Sequence, residues 1–322
     1  MAAYTTIDDP SAFFKCHLYS GNGSTNAQTF ADTDTDMQPD MVWIKSRSDG
    51  FSHMLYDAVR GVQKHIKPDS EAAEATDANS LTAFGSDGFT VGTNSDLNNS
   101  GDTYVAWCWK ESATAGFDIL SYSGTGSART QAHSLSAKPN WIIVKKTSAS
   151  GGSWFVYLTG GIPATNYVKL NETGATSASS SMWNNTEPTS SVFSLGTSSD
   201  VNGDGVTYVA YLWRSVQGFS KFGTYVGNGN ADGPMVYTGF SPAYVVVKNA
   251  GGDEAWNVWN NKTPGYNVAN KNLQPNSTVA EQTSSAGVKE IDFLSNGFKI
   301  RGSNTELNQS GNTHIYMAFA EA

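Results

Sequence analysis

Tyr19-Ser20-Gly21-Asn22-Gly23 returns as Tyr122-Ser123-Gly124-Thr125-Gly126 and as Tyr225-Val226-Gly227-Asn228-Gly229, starting at 19, 122 and 225, a constant step of 103 residues. A second phrase recurs at nearly the same spacing, with steps of 100 and 103. Pro39-Asp40-Met41-Val42-Trp43-Ile44-Lys45 is answered by Pro139-Asn140-Trp141-Ile142-Ile143-Val144-Lys145 and Pro242-Ala243-Tyr244-Val245-Val246-Val247-Lys248. Each is a β-branched apolar run behind a proline and closed by lysine, the pattern of a buried strand. A third phrase closes each unit: Asp96-Leu97-Asn98 ahead of Thr103-Tyr104-Val105-Ala106-Trp107, then Asp200-Val201-Asn202 ahead of Thr207-Tyr208-Val209-Ala210-Tyr211, then Glu306-Leu307-Asn308 ahead of Thr313-His314-Ile315-Tyr316-Met317. A phenylalanine strand precedes it at Phe89, Phe193 and Phe298.

A unit of this length exceeds a solenoid period of about 20–50 residues and matches an ordinary domain. The expectation is therefore an internal triplication: an N-terminal arm over 1–10, then units over 11–112, 116–215 and 218–322. Within a unit, Phe14, Cys16 and Leu18 alternate with Lys15, His17 and Tyr19, which is the period of a strand. Turn pairs such as Asn22-Gly23, Asp49-Gly50 and Asp87-Gly88 cut the chain at intervals suited to several short strands, with Asn22-Gly23 read as a tight hairpin turn. The fold class expected is all-β, three tandem antiparallel β-sandwich domains. Each would bury its own aromatics: Trp43, Trp107, Trp109 and Phe89; then Trp141, Trp213 and Phe193; then Tyr244, Phe319 and Phe298. A further aromatic site recurs at Phe51, Trp154 and Trp256. Asp57 to His65 reads as a short helix or a loop.

With 39% hydrophobic and 12% aromatic residues but only 15% charged, the composition supports buried sheets. The net charge is −9 and the basic residues are scattered, which excludes nucleic acid and anionic membrane surfaces as expected partners. Met1 to Pro10 carries Asp8 and Asp9 and no apolar leader, so the reading is a soluble, non-secreted product with Cys16 and Cys108 as buried thiols.

Motifs of chemistry are sparse. The Gly-x-Gly of each opening phrase lacks the third glycine and the following helix of a dinucleotide loop. Asp200-Val201-Asn202-Gly203-Asp204-Gly205 matches the front of a calcium loop, but Tyr211 stands where the bidentate carboxylate belongs. Asp200, Asn202 and Asp204 are the candidate structural calcium ligands, and an Asx-type turn is the competing account. His17, His53, His65, His133 and His314 show no metal spacing. No nucleophile elbow and no recurring carboxylate pair marks a catalytic site. Asp57, Glu71, Glu74 and Asp77 read as solvated loop charges.

Met41-Val42-Trp43-Ile44-Lys45-Ser46-Arg47, His53-Met54-Leu55-Tyr56-Asp57-Ala58-Val59-Arg60-Gly61, Ser86-Asp87-Gly88-Phe89 and Tyr104-Val105-Ala106-Trp107-Cys108-Trp109 together resemble a domain of structural and tail-fibre-type proteins of tailed phages, marine and cyanobacterial ones especially. Tyr4 to Pro10 resembles the same group. The resemblance covers the whole first unit, and the later units lack its Arg-Gly segment and paired tryptophans. It implies a lectin-like jelly-roll sandwich and a virion protein, assembled in the host cytoplasm, with capsid or tail proteins or its own copies as partners.

The functional expectation is a non-enzymatic phage structural protein on the particle surface, as head decoration or short tail fibre. Two alternatives are a carbohydrate-binding module of an adhesin and a polysaccharide-degrading jelly-roll enzyme. The absence of heptads and collagen-like tracts favours decoration or a short fibre. Trp183, Trp154, Trp256 and Trp259 are the candidates for stacking on a host glycan, with core packing as the competing reading of Trp154 and Trp256. Tyr4, Ile7, Asp8 and Pro10 are the candidate assembly contacts.

Overall fold

The computed structural model describes residues 5–30, 35–263 and 267–321. Among the described residues it is all-β with antiparallel strand pairs, and helix is limited to the turn Pro10–Ala12 and three single turns at Ser95–Asn98, Ser199–Asn202 and Thr305–Asn308. None is long and apolar enough to cross a membrane.

One strand order recurs in three larger sheets. In the first, Phe14–Ser20, Thr103–Trp109, Met41–Ser46 and Met54–Asp57 lie side by side in that order. Phe117–Ser123, Thr207–Trp213, Trp141–Lys146 and Trp154–Leu158 do the same, extended by two short strands, and so do Ser220–Val226, Thr313–Phe319, Tyr244–Asn249 and Asn257–Asn260. A smaller sheet accompanies each. Asn26–Thr29 pairs with Gly88–Val91, Arg129–Ala132 with Val192–Leu195, and Met235–Tyr237 with Gly297–Ile300.

The strand alternation divides the side chains between two destinations. In Thr103–Trp109, Tyr104, Ala106 and Cys108 face the smaller sheet of their own segment, whereas Val105, Trp107 and Trp109 face away from it. Tyr208, Ala210 and Leu212 oppose Val209, Tyr211 and Trp213 in the second segment, and Tyr316 and Ala318 oppose Ile315, Met317 and Phe319 in the third. The outward-facing sets of all three sheets meet in one core. Phe14 lies 5.2 Å from Phe319 and 5.6 Å from Tyr244, Trp109 lies 6.4 Å from Trp213, and Trp141 lies 6.1 Å from Trp256, all between ring centroids.

This corrects the expectation that each segment keeps its aromatics to itself. Phe89, Phe193 and Phe298 do occupy three local cores, but Trp43, Trp107, Trp109, Trp141, Trp213, Tyr244 and Phe319 belong to the shared one. Residues two apart on a strand share a face, so Trp107 and Trp109 cannot pack with Tyr104 or Cys108. Cys16 and Cys108 are free, buried, and on opposite faces of the same sheet.

The structure overturns one further reading, decides another for the loop alternative, and places part of the arm. The opening Gly-x-Gly is not a hairpin turn: it carries the chain from the larger sheet to the smaller and lies against the closing phrase. A Cβ on Gly21, Gly124 or Gly227 would stand 2.0, 2.2 or 2.3 Å from a backbone oxygen of that phrase, so only glycine fits. Asp57 to His65 is not helical, since Asp57 ends one strand and Lys64–His65 forms another. The described part of the arm, residues 5–10, includes side chains engaged with the rest of the chain. Ile7 is 4% exposed within the shared core, and the Asp9 side chain caps the turn that Pro10 begins. Ile7 and Pro10 are thus tied to their own chain, Asp8 is exposed, and Tyr4 lies outside the described residues.

A core common to all segments makes their stabilities inseparable. Trp109→Ala is expected to cost about 3–5 kcal/mol and to lower one cooperative unfolding transition, reported identically by probes placed in each segment. Separate transitions, with only the first displaced, would contradict the shared core.

Candidate functional site

None of the four tryptophans expected to offer a sugar platform reaches the surface. Trp154, Trp256 and Trp259 are fully buried and Trp183 is 3% exposed. Trp154 and Trp256 lie in the shared core, Trp259 in the third local core, and Trp183 in the second, against Tyr157 at 5.9 Å. The non-recurring Trp183 is folded inward with its polar loop, because an indole gains more by burial than by exposure to water.

The buried indoles bind segments together instead. Trp154 Nε1 donates to Lys67 O at 3.0 Å and Trp256 Nε1 to Lys169 O at 2.9 Å, so the second segment is tied to the first and the third to the second. His53 closes the ring: its Nε2 meets Gln274 O at 3.0 Å. Strand register makes His53, not Phe51, the counterpart of the two tryptophans. Trp43 Nε1 donates to His53 Nδ1 at 2.9 Å, which leaves the proton on Nε2 and the ring neutral. Burial, followed by the nearby Lys45 charge, holds it well below the usual histidine range. Backbone bonds repeat the cycle, from Glu74 N to Thr147 O, Thr176 N to Ala250 O and Glu281 N to Arg47 O, at 2.9, 3.0 and 2.9 Å.

The first seam carries a fully buried carboxylate. Asp57 is fully buried and accepts from Arg60 Nε and Tyr211 Oη, both at 2.6 Å, while Arg60 also donates to Leu55 O and reaches Glu74. Glu71 accepts from Ser153 Oγ at 2.7 Å. All three are seam residues, but only Asp57 overturns the expectation of a solvated charge: Glu74 is half-buried and Glu71 is exposed. The seam between the third and first segments carries a different ion pair, Arg47 with Glu281 at 2.9 Å.

The calcium candidate is likewise engaged within the protein. Asn202 Oδ1 accepts Thr125 N–H, and its Nδ2 donates to Gly196 O and Ser127 O. Asn98 and Asn308 make the same clamp on Asn22 with Gly92 and on Asn228 with Gly302. Asp200 sits in the first turn of its short helix beside Ser198, and Asp204 packs under Gly126. Among the described residues no three His, Cys, Asp or Glu converge as metal ligands would.

The lysines that close the second phrase also recur as clamps. Lys45 donates to Ser46 O and Asp49 O, Lys145 to Gly152 O, and Lys248 to Asn249 O, Gly252 O and Thr173 O. Burial lowers each ammonium to about 8.

The segments differ most at their junctions. At the first, Glu111 N donates to Asp40 Oδ2 at 2.7 Å, Glu111 Oε1 accepts Ile119 N–H, and Asp118 accepts from Ser134 N and Oγ. Burial, then the hydrogen bond and charge of Asp118, raise the Glu111 carboxyl to about 7. At the second junction Ser215 replaces Glu111, donating its N–H to Asn140 Oδ1 and accepting Phe222 N–H, and Lys221 replaces Asp118. Here the surface opens into a cavity of about 260 Å³ lined by Ser215, Gln217, Lys221, Tyr237, Thr238 and Gly239. Tyr237 is 64% exposed. Neither Lys221 nor Tyr237 stood out in the sequence, because their exposure depends on the length of a neighbouring loop.

Residues 9–322 match a family described as a domain of unknown function, DUF7483, and the chain belongs to that family. No curated protein and no solved structure matches it.

Two outcomes follow from this geometry. Removing one partner of a buried pair strands the other charge, so Asp57→Ala is expected to cost about 3–5 kcal/mol in denaturant unfolding, with Asp57→Ala/Arg60→Met recovering part of it. A double variant no more stable than the single one would refute the seam role. For Glu111, a folded pKa above the ordinary 4.5 means that the folded state binds the proton more tightly, so this group costs stability as pH rises from about 4.5 through about 7. That window lies below the range in which the three lysines titrate. Glu111→Gln is expected to gain thermal stability relative to wild type between pH 5 and pH 8, and an unchanged difference would count against the carboxyl pair.

Proposed function

We propose that this DUF7483 protein is a non-enzymatic structural protein of a tailed bacteriophage, displayed on the particle surface as head decoration or short tail fibre. It is built from one sheet-forming module present three times, each module a jelly-roll-type sandwich. The observation that carries the reading is the closed ring of seams around a common aromatic core, a stiff body that leaves the outer loops for contact. Repetition of this kind favours multiple weak contacts with a lattice or receptor over a single catalytic constellation. The phrases from Met41 to Trp109 that resemble phage structural domains support the same placement.

The contact surface is the rim. Ile7 is committed to the core, so capsid or tail partners, or further copies of the chain, meet the exposed junctions and loops. The open cavity beside Tyr237 favours a receptor-binding share in the role, with a host surface glycan as its partner.

The test is the composition of particles of the virus that encodes the chain. Particles banded by density and washed in high salt are expected to retain it in fixed copy number by mass spectrometry, and antibody labelling is expected to place it on the outer surface. Its presence in infected lysate together with its absence from washed particles would sink the proposal.

A further inference from the structure

The position occupied by Lys221 exists three times in the fold, and register identifies it: Lys15 opposes Cys108, Asp118 opposes Leu212, and Lys221 opposes Ala318. In the first segment Lys15 is 1% exposed, donates to Thr35 O at 2.7 Å and lies over the Phe30 ring at 5.2 Å. In the second, Asp118 is 4% exposed beneath Ser134. In the third, Lys221 is exposed and has no hydrogen-bond or ion-pair partner among the described residues. The cause is loop length. The connection that covers this position spans residues 30–40 in the first segment and 133–140 in the second, but only 238–243 in the third. Shortened from eleven and eight residues to six, it turns away at Gly239, whose φ of +90° suits glycine.

The same shortening uncovers Tyr237. Its counterparts on the paired strands are Thr29 and Ala132, since Gln28, Gln131 and Val236 each oppose the phenylalanine of the closing sheet. An aromatic ring thus replaces small residues at the one position of the three where the cover is missing. Gln217, from the junction, is exposed on the same cavity, and no carboxylate lines it. A flat ring with an apolar face, an uncommitted ammonium and an amide around about 260 Å³ have the chemistry of a saccharide subsite. The volume lies just below the ~300–1,000 Å³ of sites for drug-sized ligands, which limits the occupant to about one sugar ring and its substituent.

We infer that this cavity binds a saccharide unit carrying an anionic substituent, a carboxylate or a sulfate, with the sugar face on Tyr237 and the anion on Lys221. The inference rests on the receptor-binding share of that reading and deepens it by naming the ligand class; binding by purified protein is read independently of where the chain is carried, so the two can fail separately.

The experiment uses the full chain, isothermal titration calorimetry and saturation-transfer NMR, with a glucuronic-acid-containing disaccharide and neutral cellobiose as probes. The acidic disaccharide is expected to bind, with protons of one ring receiving saturation. Tyr237→Ala is expected to weaken binding about two- to tenfold, the range of an aromatic contact. Raising salt from 0.05 to 0.5 M is expected to weaken the wild type but not Lys221→Met. Both side chains are exposed, so both variants should retain the wild-type melting temperature, which the same preparations verify. Absence of binding at 10 mM probe overturns the proposal, as does equal affinity of wild type and both variants. Cellobiose binding as tightly as the acidic disaccharide overturns the anionic specificity.

Discussion

The structure depends on one constraint: the last strand of each segment is buried on both faces. Thr103–Trp109, Thr207–Trp213 and Thr313–Phe319 each lie second in their sheets, flanked by two strands, so the backbone is paired on both sides and successive side chains enter different cores. One alternation supplies a local core of Tyr, Ala and Cys or Leu; the other supplies the Trp, Tyr, Met and Phe that meet at the centre. A sandwich with only one apolar face to bury would stop at its own boundary. These sheets cannot, because exposing Trp107, Trp109, Tyr211, Trp213 and Phe319 would leave several hundred Å² of aromatic surface in water, more than a lone soluble domain ordinarily shows.

Burial of the central faces is non-directional, and the seams give it register. Each seam pairs an indole or imidazole N–H with a carbonyl of the preceding segment and adds at least one backbone bond, and the cycle returns from the third segment to the first through His53 and Gln274. The third seam carries the ion pair of Arg47 with Glu281, and the first a fully buried one, Asp57 with Arg60, joined by a tyrosine hydroxyl. Such a pair gains little over apolar packing but penalises misplacement heavily, since a displaced Asp57 or Arg60 would be left charged and unsolvated. Its contribution is therefore to fix how the first two segments meet.

Recurrence in the interior coexists with divergence at the junctions. One structural position holds a lysine covered by Phe30, an aspartate covered by Ser134, and a lysine left open beside Tyr237. Strand register is equivalent among them; loop length and side-chain identity decide whether the place is covered or accessible. Differences at the rim of sheets that share one strand order carry small energetic consequence, because substitutions there leave the shared core intact.

Sequence by itself determined the elements: the strands, their order along the chain, the all-β class, and the recurrence of Tyr-x-Gly-x-Gly with its distant Asn. These follow from alternation and from glycine and turn chemistry, which are local. It also placed Lys45, Lys145 and Lys248 at equivalent strand ends, though not their carbonyl partners. Only the tertiary structure decided which aromatic faces which core, that Phe51 yields its place to His53, that Asp57 is buried against Tyr211, and that Trp183 is hidden while Tyr237 is not. The physical reason is that a period of two assigns a residue to a face but does not say what lies beyond it, and exposure is set by chain segments remote in sequence, here a connection of six residues where the other two segments have eleven and eight.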